Sequence, residues 1–204
     1  MESGVGRENG AVSESSAAAV NDTVAENSLA AETSELPAGE ASADTLIIYF
    51  SCTGNTKAAA EEIQRQTGAD MFEIVPEIPY TAEDLNYNDD DSRANQEQSD
   101  DSARPAISGS IDNFDSYEIV FVGYPIWWGT LPKIVNTLLD TYDFSGKTVI
   151  PFCTSGGSGI GSSASDLEPL TSGATWLEGY RLSGGDSQDT VMDWVTGLGL
   201  DFGQ

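Results

Sequence analysis

From Thr45 onward, apolar and polar positions fall into blocks that have the lengths of strands and helices. Predominantly apolar runs of five to eight residues recur along this part of the chain. Such runs are typical of parallel strands that are buried on both faces. Pro151 is unusual in one of them, because a proline cannot donate a hydrogen bond within a central strand. The predicted strands are residues 45–50, 71–75, 118–125, 148–152 and 174–181.

Between these runs the apolar residues take a helical spacing. The segment 131–142 places four aliphatic residues on one face and has Pro132 in its predicted first turn, which indicates an amphipathic helix. The segment 186–199 has the same pattern, with Asp186 or Ser187 as the expected capping residue. The predicted helices are residues 56–67, one helix within 92–101, 131–142, a short one around 163–170, and one within 186–199.

Strands that alternate with helices are joined by right-handed crossovers, which give a parallel sheet covered on both sides. Five strands in about 160 residues fit one doubly wound α/β domain. We therefore predict a single domain over residues 45–204. Residues 1–44 contain scarcely any large hydrophobic side chains and are predicted to be a disordered acidic tail or tether.

The charge and composition of the chain exclude several classes of function. There are 34 acidic and 8 basic residues, a net charge of −26. This excludes a nucleic-acid surface, which needs a basic footprint, and it favours a protein partner with a basic face. No histidine occurs, which excludes histidine-dependent nucleophilic catalysis and histidine-ligated metals. Cys52 and Cys153 cannot form a CxxC pair and are expected to be small buried residues, so neither a metal site nor a catalytic residue is predicted.

The chain also shows no membrane or secretion signal. No run reaches the roughly 18–20 apolar residues of a membrane helix, and the residues after Met1 are polar and acidic. We therefore expect no membrane insertion and a cytoplasmic location. The alternative is an extracytoplasmic domain on a tether from which a signal has been removed.

Three unusual loops follow the first, third and fourth predicted strands, at the sheet edge where open α/β sheets bind ligands. The first, "SCTGNT" (51–56), places three hydroxyl groups and a glycine where a helix begins. Helix N-termini favour anions, whereas an ordinary helix cap would explain one of the hydroxyl groups. The loop is neither a Walker loop nor a GxGxxG motif. We interpret it as a phosphate site.

The other two loops suggest a flat ligand. In "GYPIWWGTLP" (123–132) two tryptophans are adjacent, and exposed rings at such a position stack on planar groups. Consecutive residues face different ways, so one ring is expected to pad the core and the other to be exposed. The third loop, "CTSGGSGIGSS" (153–163), is rich in glycine and lets a planar ligand approach the backbone; the alternative is a loop that is merely flexible.

The stretches "YFSCTGNTKAAAEEI" and "VGYPIWWGTLPKIVNTLLDTYDFSGKTVIPFCTSGGSGIG", with this order of strands and helices, resemble the flavodoxin family over about residues 45–200. The resemblance implies the flavodoxin-like fold with strand order 2-1-3-4-5, FMN as the cofactor, and electron transfer. It also implies the FMN-binding residues: Ser51, Thr53, Gly54, Asn55, Thr56 and Lys57 in the first loop; Pro125, Ile126, Trp127, Trp128 and Gly129 in the second; and Thr154, Ser155, Gly156, Gly157 and Gly159 in the third.

The sequence departs from the best-known flavodoxins in its third loop, which lacks the aromatic ring that covers the outer flavin face in those proteins. That face is open to a small substrate, or covered by Tyr80, Tyr87 or a partner. Three functions therefore stay open. The favoured one is a low-potential FMN electron carrier that serves a redox protein. The second is an FMN-dependent NAD(P)H quinone or nitro reductase with a small-molecule acceptor, and the third is an FMN-sensing or surface-interaction module.

Overall fold

The apolar run that begins at Thr45 forms a central strand, and all five of its residues are buried. In this computed structural model, which describes residues 44–183 and 185–202, parallel strands flank it on both sides. The strands are β1 (Thr45–Tyr49), β2 (Asp70–Glu73), β3 (Val75–Pro76), β4 (Ile107–Ser108), β5 (Ile119–Pro125), β6 (Thr148–Thr154), β7 (Thr175–Trp176) and β8 (Tyr180–Leu182). The main sheet has the order β2-β1-β5-β6, and β7 and β8 together form its outer strand. The predicted order 2-1-3-4-5 is confirmed.

Helices cover both faces of this sheet, as predicted. Leu46 and Ile48 of β1 pack in the cluster that contains the apolar face of one helix, whereas Ile47 and Tyr49 pack with two other helices on the opposite side. This alternation follows from the two-residue period of a strand. The helices are α1 (Asn55–Thr67), α2 (Arg93–Ser99), α3 (Lys133–Thr141) and α4 (Gln188–Gly197); α3 lies on the first side, α1 and α4 on the second.

The predicted second strand is wrong at its end. β2 stops at Glu73, and Val75 belongs to β3, which pairs antiparallel with β4. Pro76 has no N–H and could not continue the parallel ladder. The antiparallel pairing of β3 with β4 brings together the two ends of the long segment between them. We call this segment, residues 77–106, the α2 excursion.

Two helix predictions need correction. Pro132 is the N-cap of α3 with extended geometry, not a first-turn residue. The helix expected around 163–170 is a series of turns that ends in a single 3-10 turn, Glu168–Leu170. Ser163 and Ser165 donate their hydroxyl groups to nearby backbone carbonyls there, which competes with helix formation. Ser187, rather than Asp186, caps α4 by accepting a hydrogen bond from the Thr190 N–H.

Pro151 explains why the outer strand is broken. β6 runs through Pro151 to Thr154, two residues beyond the predicted strand. Leu177 donates to the Val149 carbonyl at 3.0 Å, so the alternate residue Pro151 turns its hydrogen-free nitrogen toward the outer strand, where pairing stops between β7 and β8. A Cβ at Gly179 would lie 2.7 Å from the Pro151 ring, so this close passage requires glycine.

The predicted tail, residues 1–44, lies outside the described residues except for Asp44. Within the described ranges, no helix is long and apolar enough to cross a membrane. The same ranges contain no group of three or more His, Cys, Asp or Glu side chains that could hold a metal ion.

Candidate functional site

The first loop leads directly from β1 into α1. Gly54 is the N-cap residue in a left-handed conformation (φ 84°), and no side chain caps this end of the helix. Ser51 Oγ accepts the Gly54 N–H at 3.1 Å, and Thr53 Oγ1 accepts from Asn55 Nδ2 at 3.2 Å. The N–H groups of the first turn of α1 therefore have no side-chain acceptor from the cap. This arrangement binds anions.

The charges around this helix end also fit an anion. The first turn of α1 contains no acidic side chain, although the chain has a net charge of −26. The Lys57 Nζ lies 3.6 Å from a Glu73 carboxylate oxygen, so its ammonium group is directed toward the end of β2. Lys57 therefore contributes to the helix end through its backbone N–H.

Thr56 is buried and joins the first loop to the third. Its Oγ1 lies 2.8 Å from Oγ1 of Thr154, the last residue of β6. The two loops are thus connected by a hydrogen bond that water does not reach. The hydroxyl group of Thr56, predicted as a phosphate ligand, has a protein partner in this structure.

The second loop contains a tight turn between Trp127 and Thr130, which exchange backbone hydrogen bonds of 2.9 and 3.0 Å. Trp128 and Gly129 at its centre have φ values of 49° and 81°, and two positive φ values are the mark of a type I′ turn. A tryptophan in the left-handed region costs roughly 1 kcal/mol or more. Contacts around the turn must therefore hold it in place.

The two tryptophans have different environments, as predicted. The Trp127 ring meets the rings of Phe50 and Tyr80 edge-on, with centroid distances of 5.6 and 5.5 Å. Trp128 is 47% exposed. Trp127 therefore extends the core to the edge of the site, and Trp128 forms an exposed wall.

The third loop begins at Thr154, and its backbone is open to an approaching ligand. A Cβ at Gly156 or Gly157 would meet nothing within 4 Å, so a flat group has room beside this backbone. Ser155 accepts two hydrogen bonds from Arg181 of β8, to its hydroxyl at 3.1 Å and to its carbonyl at 3.0 Å. Sequence reasoning missed Arg181. Arg181 is the last residue of the predicted strand 174–181, which places it at the same sheet edge as the three loops, and this was the signal that could have revealed it. In the structure Arg181 is paired with Cys153 in the parallel register of β6 and β8.

The three loops enclose two adjoining cavities that share the walls Thr53, Pro125, Ile126 and Trp127. The first, of about 440 Å³, is mainly apolar. The second, of about 470 Å³, is mainly polar. The first is completed by Cys52, Thr56, Leu85, Tyr87, Ala94 and Trp128, and the second by Asn55, Thr154, Ser155, Gly156, Arg181, Ser183 and Gly185.

The two cysteines differ. Cys153 is buried as predicted, and burial raises the pKa of its thiol to about 12, so it stays protonated near neutral pH. Cys52 was expected to be buried, and this is wrong. It is exposed and lines the apolar cavity, because it lies beyond the end of β1 in the first loop.

The α2 excursion forms one side of the apolar cavity through Leu85, Tyr87 and Ala94; the sequence indicates only Tyr80 or Tyr87 of this segment as a possible cover for the site. Tyr80 packs inside it and donates to Glu97 at 2.5 Å, while the Arg93 guanidinium lies 4.0 Å from the Tyr80 ring centre. Burial raises the pKa of Tyr80, and the Glu97 carboxylate raises it further. Tyr87 is 71% exposed and lines the cavity rather than closing it. Neither tyrosine covers the polar cavity.

The predicted site residues thus meet at the carboxyl ends of β1, β5 and β6, whose loops carry an anion-binding helix end, an aromatic wall and an open glycine backbone. Some of the predicted residues belong to the same loops but line neither cavity: Ser51, Gly54, Lys57, Gly129, Gly157 and Gly159. The fold and this site define a doubly wound α/β protein built to hold a flat, phosphorylated ligand.

Comparison with known proteins identifies the family. The model of a family described as "Flavodoxin" matches residues 44–198, and the chain belongs to the flavodoxin family. Among curated proteins no match was found. The predicted family, fold and family cofactor, FMN, are confirmed.

Solved structures agree with this assignment. A protein from Bacteroides eggerthii DSM 20697, classed as a flavoprotein, is 40% identical and has a TM-score of 0.73, covering 78% of this chain and 99% of its own. A second, from Bacteroides uniformis ATCC 8492, is also 40% identical, with a TM-score of 0.72 and coverages of 75% and 97%. A flavoprotein from Lactobacillus acidophilus NCFM, crystallised in complex with FMN, is 25% identical, with a TM-score of 0.56 and coverages of 75% and 98%.

Proposed function

We propose that this protein is a low-potential electron carrier that holds FMN across its three loops and exchanges electrons with a redox protein that presents a basic face. One observation carries the proposal. Among the described residues that line the two cavities, Arg181 is the single cation, and its guanidinium is bound to Ser155. Negative charge that enters the site therefore meets a single cationic group, the Arg181 guanidinium, which is already hydrogen-bonded to Ser155. The other hydrogen-bond donors that line the cavities are neutral.

The residues present fit FMN. The uncapped N–H groups at the start of α1 and the hydroxyl groups of Ser51 and Thr53 can bind the phosphate. Trp128 offers a ring face for stacking, and the backbone around Gly156 offers room and N–H donors to a ring edge. When bound, FMN supplies reversible electron transfer in one- or two-electron steps.

A low potential follows from the charges of the domain. From Thr45 onward there are 25 acidic and 7 basic residues. Negative charge added to a partly water-excluded site is repelled by these carboxylates and by the phosphate. The protein therefore favours the oxidised state of a cofactor that becomes anionic on reduction, and this lowers its reduction potential.

The same charges support a basic protein partner. The α2 excursion holds nine acidic and two basic residues, and both arginines are already paired, Arg93 with Glu97 and Arg104 with Asp140. The uncompensated carboxylates lie on the segment that carries the exposed Tyr87. A partner with a basic face would be attracted toward this side of the site, and its association rate would fall with added salt.

One observation favours the second candidate, an FMN-dependent NAD(P)H quinone or nitro reductase. The apolar cavity beside Trp128 has room for a small aromatic molecule, and Tyr87 leaves it open. The lack of free cations at the site argues against binding the phosphates of a nicotinamide dinucleotide. We therefore place this function second.

An anaerobic reductive titration of the FMN-loaded protein separates the two. A carrier takes up its electrons in two one-electron steps at well-separated potentials and shows no turnover with NADPH and a quinone. A single two-electron step together with NADPH-dependent quinone reduction would contradict the carrier proposal and support the reductase.

A further inference from the structure

We infer that Gln98, a residue of α2 in the excursion, is a positioning residue for the cofactor: it holds the tryptophan turn, and so sets how tightly the oxidised and reduced states of FMN are bound. This inference rests on the proposed function. Gln98 lies 29 residues before Trp127 in the sequence and outside all three predicted loops, so no motif indicates it.

The side chain of Gln98 directs both of its N–H groups and its oxygen at the backbone of the second loop and of the first residue of α3. Its Nε2 donates to the Trp127 carbonyl at 3.3 Å and to the Leu131 carbonyl at 3.2 Å, and its Oε1 accepts the Lys133 N–H at 3.1 Å. A primary amide has two N–H donors and one oxygen. They contact the first residue of the turn, Trp127, and two residues that follow the turn, Leu131 and Lys133.

These contacts lie where the turn needs support. Trp128 has a positive φ, a conformation that a tryptophan does not adopt without restraint. The Leu131 carbonyl and the Lys133 N–H flank Pro132, so Gln98 also fixes the passage from the turn into α3. With Trp127 and Leu131 both held, conformational freedom in the loop is confined to the three residues between them, Trp128, Gly129 and Thr130.

The helix that carries Gln98 is itself held firmly against the site. Ser92 caps α2 by accepting the Asn95 N–H, and Ala94 is buried and lines the apolar cavity. Glu97, the residue before Gln98, binds both Arg93 and the hydroxyl group of Tyr80. The Tyr80 ring in turn packs on Trp127. The position of Gln98 is therefore fixed by contacts of α2 itself, and Gln98 holds the loop rather than moving with it.

Other contacts between the excursion and α3 lie farther from the turn. Lys133 pairs with Asp101 through its side chain, and Thr137 donates to the Pro105 carbonyl. On the other side of the turn, Thr130 donates to Asp166 at 3.1 Å. Of the described side chains in the excursion, Gln98 is the one that hydrogen-bonds to the backbone of the turn.

The position of Trp128 and Gly129 relative to the other loops decides what the cofactor ring contacts. A change in that position alters the affinity for the oxidised and reduced cofactor by different factors, since the two states differ in charge and in hydrogen-bonding groups. The ratio of these two affinities fixes the potential of the bound cofactor relative to the free one. A residue with a merely structural role would change both affinities by the same factor.

The test compares Gln98→Glu and Gln98→Met with Gln96→Glu and Gln96→Met. Gln96 is exposed on the same helix, so the glutamate pair is matched for added charge and the methionine pair for lost polarity. The FMN dissociation constant is measured for the oxidised protein by fluorescence quenching and for the reduced protein under anaerobic conditions. We expect the Gln98 variants to bind oxidised FMN about fivefold or more weakly than their Gln96 counterparts, with the reduced-to-oxidised ratio changed by about threefold or more.

Two results would overturn the inference: Gln98 variants that match their Gln96 counterparts, or Gln98 variants in which both dissociation constants rise by the same factor. If the glutamate introduced beside two carbonyls prevents folding, Gln98→Met decides, since it is uncharged and of similar size. If the wild-type protein does not bind FMN, the proposed function is contradicted rather than the role of Gln98. Measuring the wild type first separates these two outcomes.

Discussion

The hydroxyl groups of Thr56 and Thr154 share a buried hydrogen bond of 2.8 Å, across 98 residues of sequence. It ties the first turn of α1 to the end of β6, so two of the three loops of the site are held in a fixed relation. Each hydroxyl can donate to the other, and each would be left unpaired by the loss of its partner. A buried polar group without a partner costs roughly 1–3 kcal/mol.

This pair gives a first prediction. Thr56→Val should lower the free energy of unfolding by about 1–2 kcal/mol because the hydroxyl of Thr154 loses its partner, and Thr154→Val should have the mirror effect. The double variant should lose less than the sum of the two. Urea unfolding of the FMN-free proteins measures all three. Strict additivity would show that the two hydroxyl groups do not depend on each other.

Ser51 gives a second prediction, on FMN affinity. Its Oγ accepts the Gly54 N–H and so shapes the loop that faces the helix end. Ser51→Ala should weaken FMN binding by about 1–2 kcal/mol, since it loosens this turn and removes a hydroxyl donor. Ser110→Ala, at an exposed serine just after β4, is the control. Equal FMN affinity in the two variants would show that Ser51 does not contribute to phosphate binding.

Gly129 gives a third prediction, which separates backbone strain from function. Its φ is 81°, and a Cβ there would meet nothing within 4 Å, so Gly129→Ala strains the backbone without a clash and costs roughly 1 kcal/mol. We expect FMN to remain bound while the gap between the two one-electron potentials narrows.

Gly109→Ala is the matched control, because Gly109 has a φ of 80° and equally open surroundings outside the three loops. It should cost similar stability and leave both potentials unchanged. If the two one-electron potentials of bound FMN change by the same amount in Gly129→Ala and Gly109→Ala, the effect is due to general destabilisation and not to the tryptophan turn.

A fourth prediction concerns acid stability. Hydrogen bonds from Arg65 hold the pKa of the buried Glu62 carboxyl below its ordinary value. A carboxyl with a lowered folded pKa stabilises the protein above its unfolded pKa of about 4.3, and this contribution disappears as the pH falls through the folded value. The free energy of unfolding of wild type should therefore exceed that of Glu62→Gln by its largest amount at pH 7, and this difference should shrink steadily below about pH 4.

Unfolding free energies measured from pH 3 to pH 7 test this dependence. Glu61→Gln, on the neighbouring position of α1, controls for the loss of one negative charge from an acidic protein. A difference between wild type and Glu62→Gln that stays constant with pH would refute the assignment.

Much of the fold was readable from the sequence, because the buried strands and the aliphatic face of α3 carry strong periodic signals. The three loops were readable for a related reason, since their unusual residues come directly after those strands. What could not be predicted depends on contacts between distant segments. The break at Gly179 follows from Pro151 on the adjacent strand, and Gln98 reaches the tryptophan turn only through the folded excursion. The residues around 163–170 misled the helix prediction because serine hydroxyl groups compete for the backbone carbonyls.

The broken outer strand has a consequence for how the protein behaves at high concentration. Another chain can extend a sheet only along a continuous row of free N–H and C=O groups. Here that row is interrupted between β7, of two residues, and β8, of three. The opposite edge, β2, has only four residues and begins and ends with a carboxylate, at Asp70 and Glu73. Neither border of the sheet offers a long, uncharged template, so the native protein should resist growth into fibrils by strand addition.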